Sequence, residues 1–167
     1  MAVTYESLAT TTLTNSTTQE VIFNSFASTY TDLRIVFKGG ASAGTTEFQG
    51  QFNSDTASNY SRTRLTGDGS AVASSRDSGV TFMRFTGVGY LPNSDLAGVT
   101  IIDIMNYSNA TTFKTVLSRH NVVTQETHLM CNQWRKSPEA ITSIRLFTAT
   151  NYFFTGSTFT LYGIKAA

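Results

Sequence analysis

Apolar residues recur at every second position in one short run after another along this chain. Residues 32–38 (DLRIVFK) place Leu33, Ile35 and Phe37 on one face and stop at Gly39-Gly40. Near the C-terminus Phe159, Leu161 and Gly163 point one way, while Thr158, Thr160 and Tyr162 point the other. A period of two describes a strand with one covered face. The closing run is therefore expected as an integral part of a sheet rather than a frayed end.

Similar runs fill the interval. Residues 5–13 alternate weakly and 18–24 (TQEVIFN) more clearly. Residues 46–53 (TEFQGQFN) align Phe48 with Phe52, and Gly50 between them predicts a bulge or a close approach. Residues 60–66 run into Gly67-Asp68-Gly69, a strong turn signal, and the pattern resumes at 80–88. Residues 98–107 (GVTIIDIMNY) are apolar on both sides at their centre, which predicts a central strand covered on both faces. Residues 113–123, 128–135 and 141–148 add three more runs, the last placing Ile144 and Leu146 together. Helical turns are expected only in connections, at 55–59 and 137–140.

Nine or ten short strands without intervening helices predict an all-β fold. The expected architecture is a single-domain antiparallel β-sandwich, jelly-roll-like, over residues 1–167, with no internal repeat, linker or second domain. The 167 residues suffice for a large core without a staple. Ser and Thr exceed a quarter of the chain, suiting exposed strand faces and turns, while 12 Phe and 7 Tyr suit the covered faces.

Charge removes several function classes. Charged residues are 14% of the chain and the net charge is +1, so no electrostatic footprint for nucleic acid or a membrane surface is visible. No leader pattern opens the chain, and no apolar run approaches the ~20 residues of a membrane span. The single Cys131 excludes an intrachain disulfide, and its apolar-leaning run predicts a buried, inert thiol.

Candidate chemistry is sparse. His120 and His128 lie in neighbouring runs and could face each other with Asp103 or Glu126 at a metal. Their spacing carries no ligand motif, so two half-exposed strand residues are the plainer reading. Asp103, between Ile102 and Ile104, is expected to be satisfied by backbone donors or an arginine. Asp55, Asp68, Asp77 and Asp95 read as turn residues rather than calcium ligands. Gly87-Val88-Gly89 precedes no helix and is not a dinucleotide fingerprint. Glu6, Glu20, Glu47, Glu126 and Glu139 form no glycosidase-like pair. No catalytic residue, cofactor or metal is assigned, and the chain is not read as an enzyme.

Interface candidates remain. Arg62 and Arg64 share one strand face opposite Ser61, Thr63 and Leu65, and could meet a neighbouring chain or simply be solvated. Trp134 beside Arg135 could anchor an interface, offer a sugar-stacking platform or sit in the core. Tyr5 and the terminal segments, residues 2–12 and the closing run, are candidates for edge pairing between chains.

Several blocks point to one family. They are YESLAT at 5–10, FASTYTDL at 26–33, FNSD at 52–55 with Asn59-Tyr60, and LTGDG at 65–69. Ile102-Asp103-Ile104 with Asn106-Tyr107, ITSI at 141–144 and the closing FTLYGI complete them. In this order and spacing they resemble β-rich virion structural proteins of tailed bacteriophages, common among cyanophages, over nearly the whole chain. The resemblance implies a capsid decoration (cement) protein that binds the outer surface of the major capsid protein shell and stabilises it. It implies a homotrimer, synthesised in the bacterial host cytoplasm and located on the virion capsid outer surface, with no direct nucleic acid or membrane partner. The alternative is a tail fibre or receptor-binding protein that adheres to host polysaccharide. A pattern running from Tyr5 to Ile164 without a shaft favours the capsid.

Overall fold

Twelve strands pair into two antiparallel sheets in the computed structural model, which describes residues 4–43, 46–87, 91, 98–121 and 126–165. They are β1 (Tyr5–Thr12), β2 (Glu20–Asn24), β3 (Asp32–Gly39), β4 (Phe48–Phe52), β5 (Tyr60–Gly67) and β6 (Val72–Val80). The second half supplies β7 (Met83–Arg84), β8 (Gly98–Ile104), β9 (Lys114–Asn121), β10 (Thr127–Trp134), β11 (Ser143–Thr148) and β12 (Thr158–Ile164). One sheet has eight strands in the order β1-β12-β3-β8-β9-β10-β5-β6, and the other has four in the order β2-β11-β4-β7.

The fold is an all-β, antiparallel β-sandwich with jelly-roll order. β1-β12-β3-β8 face β2-β11-β4-β7, and successive strands of this core change sheet except β4 and β7, which pair within the smaller one, the order of a jelly roll. Two hairpins interrupt that succession. β5–β6 follows β4, β9–β10 follows β8, and β10 pairs with β5. Together they extend the larger sheet by four strands, a wing beyond the eight-strand core.

Aromatic rings fill the sandwich. Phe37 of β3, Phe48 of β4 and Phe159 of β12 are fully buried, with Phe37–Phe48 and Phe37–Phe159 centroids 4.6 and 4.7 Å apart. Each sits on the covered side of an alternating strand, so period-two patterning translates into a tilted aromatic stack. Gly50 is the predicted close approach: a Cβ there would lie 2.6 Å from the Phe85 ring. Gly163 plays the same part in β12, where a Cβ would lie 2.5 Å from Tyr30.

Four expectations need correcting. β6 (VASSRDSGV) is absent from the sequence reading, because its serines and charges show no apolar alternation and both its faces are solvated. Among its described residues the run at 80–88 contributes only Val80, at the end of β6, and the two-residue β7. The turns at 55–59 and 137–140 contain no helix, only bends. β8 is covered on one face, with Thr100, Ile102 and Ile104 buried, whereas Val99 on the other side is 39% exposed.

Candidate functional site

The wing presents two contrasting faces. On the inner side, β9 contributes Lys114, Val116, Ser118 and His120, and β10 contributes His128, Met130, Asn132 and Trp134, all buried. His120 and His128 are directly opposed across the β9–β10 ladder, with ring centroids 6.2 Å apart. Nδ1 of His120 lies 2.8 Å from the Thr100 hydroxyl, and Nε2 of His128 lies 3.5 Å from Glu126. Burial holds the His128 imidazole below the usual histidine range, with Glu126 pulling it up and Arg64 pushing it down. The pair is therefore buried rather than half-exposed. Asp103 lies on the opposite face of the sheet, paired with Arg34 at 2.5 Å. Among the described residues no three His, Cys, Asp or Glu side chains converge as a metal site.

Two buried polar side chains here serve the backbone. Asn132 accepts from the Arg84 N–H at 3.1 Å and donates to the Arg84 carbonyl at 3.0 Å, clamping β7 to β10. Lys114 donates to the carbonyls of Asn109 and Thr112 at 2.6 and 2.7 Å, and its burial lowers its pKa. Such groups are placed to satisfy orphan backbone atoms.

The predicted interface residues divide. Arg62 is 7% exposed and donates to Asp77 of β6 at 2.7 Å, so its charge is spent within the fold. Trp134 is 2% exposed, packs edge-on to Phe52 at 5.6 Å and belongs to the core. Neither is an exposed interface or sugar platform, because their alternating face is the covered one. Arg64, on the same side, is half-buried. Arg135 is exposed, with its guanidinium 3.4 Å from the Tyr60 carbonyl. Tyr5 is 43% exposed, stacked on Tyr162 at 4.6 Å. Of the terminal segments, β1 is a sheet edge, but β12 lies between β1 and β3 and offers no free ladder. Asp95, Val88 and Gly89 lie outside the described residues.

The outer face carries the residues that sequence reasoning missed. One cross-strand row runs Ser74, Leu65, Leu129, Arg119, Ile101, Val36, Thr160 and Thr10. The adjoining row runs Arg76, Thr63, Cys131, Leu117, Asp103, Arg34 and Tyr162. Leu65, Leu117 and Leu129 are 48%, 42% and 45% exposed; Leu65 is directly opposite Leu129, and Leu117 is opposite Cys131, diagonal to Leu129. Cys131, expected buried, lies exposed among them, because its odd-numbered neighbours Leu129 and Gln133 also face outward. Arg76 and Arg119 are exposed, and no ion pair holds either among the described residues. The apolar residues at 65, 117 and 129 were legible as a second apolar parity in each run, the signal that a strand's solvent face is not uniformly polar.

This face, with adjacent exposed leucines and two guanidiniums outside any ion pair among the described residues, has the composition of a contact surface for another macromolecule. Comparison with family profiles, curated proteins and solved structures found no match for this chain.

Proposed function

We propose that the protein is a non-enzymatic structural component of a tailed-phage particle, a decoration protein that seats on the outer surface of the major capsid protein shell and stabilises it. The supporting observation is the outer face of the eight-stranded sheet. Leu65, Leu117 and Leu129 form its apolar centre, with Arg76 and Arg119 beside them. The occupant is a flat protein surface carrying carboxylates against those guanidiniums and apolar side chains against the leucines. The family resemblance of the sequence blocks supplies the kind of particle.

Binding to the assembled shell alone stabilises it by mass action. A homotrimer at a local threefold position multiplies weak contacts through avidity. The test is the copy number in purified virions together with the mass of the free protein. A decoration role requires hundreds of copies per particle and a trimer in solution. A few copies per particle would replace this reading with the tail-adhesin one.

A further inference from the structure

We propose that the outer face of the four-stranded sheet is a binding site for a neutral, hexose-type saccharide. It is separate from the face assigned to docking and independent of where on a particle the protein sits.

A cleft of about 570 Å³ opens where β2 and β11 meet the loop after β11. That lies within the range of ligand clefts, roughly 300–1,000 Å³. Its walls join the open Tyr152 ring to a set of polar groups, with the Phe147 ring capped on one face by Arg145 and met edge-on by Phe82 at 6.4 Å. Phe147 points outward from β11, opposite Glu20 of β2 and Gln49 of β4. Tyr152, 45% exposed, closes the loop side. The Arg145 guanidinium lies 4.3 Å from the Phe147 centroid. Arg145 donates through Nε to Glu20 Oε2 at 2.7 Å and through Nη1 to Gln51 Oε1 at 2.9 Å. These bonds fix the guanidinium beside the Phe147 ring.

Charge decides the class of occupant. Glu20 is balanced by Arg145, and just beneath, Glu47 is balanced by Arg84 at 2.8 Å. No uncompensated charge faces the cleft among the described residues, so neither an anionic nor a cationic ligand is favoured. The unspent hydrogen-bonding capacity is mixed. Gln49 donates from its amide nitrogen to Glu47, and among the described residues no side chain donates to its carbonyl oxygen or to Glu20 Oε1, or bonds the Tyr152 hydroxyl. Hydroxyl groups both donate and accept, whereas the C–H face of a pyranose packs on an aromatic ring. A polyhydroxylated neutral ring matches both demands at once.

The test is NMR titration of the full chain with malto-, cello- and galacto-tetraose and, separately, with an oligogalacturonate. Saturable shifts confined to Phe147, Tyr152, Gln49 and their neighbours with at least one neutral sugar are expected. Tyr152→Ala, at an exposed position, should weaken that binding about tenfold, equivalent to ~1.4 kcal/mol. Glu20→Gln should weaken it less. Leu117→Asp, on the opposite sheet, should leave it unchanged, which separates this site from shell docking. Absence of saturable shifts with all three neutral sugars overturns the proposal. Tighter binding of the acidic sugar overturns it as well, as does neutral-sugar binding indifferent to Tyr152→Ala.

Discussion

The Trp134 indole donates its N–H to Oδ2 of Asp55 at 2.7 Å, joining the end of β10 to the loop after β4 across 79 residues of sequence. Asp55 also accepts from Asn59 at 2.9 Å and from the Ala57 N–H at 3.0 Å. Burial acts to raise its pKa, but hydrogen bonds from Trp134, Asn59 and Ala57, with the nearby Lys136 charge, hold it below the usual carboxylate range. Asp55→Ala leaves a buried indole N–H unpaired and should cost about 1–3 kcal/mol. Because the folded pKa is depressed, the contribution is complete above the unfolded value of ~3.9 and is lost as pH falls through the folded one. Urea denaturation of wild type and variant at neutral and acid pH checks this: the two curves should converge in acid.

Asn132 is the only described side chain on β10 that bonds both backbone groups of one β7 residue. Asn132→Leu removes both bonds inside a dry joint and should destabilise by roughly 2–4 kcal/mol. Amide exchange localises the effect. The Arg84 N–H should lose protection well before the amides of β3.

Acid should loosen the wing before it unfolds the sandwich. The folded His128 pKa is depressed, so the unfolded chain gains its proton first, near ~6.5, and stability falls as pH drops below that value. Glu126 opposes this fall and Arg64 reinforces it. His128→Gln should flatten the dependence of unfolding free energy on pH between about 7 and 5. An unchanged slope would assign the acid sensitivity to other groups.

Gly163→Ala tests the packing of β12. The new methyl meets the Tyr30 ring, whose hydroxyl is held by Glu6 at 2.7 Å and whose face carries Lys165 at 5.3 Å. The ring is tethered and cannot swing away freely, so overpacking should cost about 1–3 kcal/mol. Thermal melting gives the value, and Gly156→Asn, at a turn with φ 81° and open space, serves as a milder control.

On the proposed decoration role, Leu117→Asp and Leu129→Asp should abolish binding to capsid shells that lack the protein, because a carboxylate would replace apolar contact at the centre of the face. Both positions are solvated, so melting temperature should change little. Retained shell binding in both variants would exclude this face as the docking surface.

The alternation of β3, β11 and β12 determined by itself that these segments are strands, and which residues share a side. Side-chain direction in a strand has a period of two whatever surrounds it. Gly50 was equally legible, because a glycine between two phenylalanines on one face marks a close approach. Alternation does not say which side is covered. Arg62 and Trp134 turn inward because β7 and the segment before β5 cover that side, while Cys131 turns outward with the leucines. β6 has no apolar parity and becomes a strand only because β5 supplies its hydrogen bonds and Asp77 meets Arg62. The opposition of His120 and His128 depends on the β9–β10 register, and the Phe147–Tyr152 cleft on a loop folding back over β11. Those relationships join residues distant in sequence, so only the tertiary structure decided them.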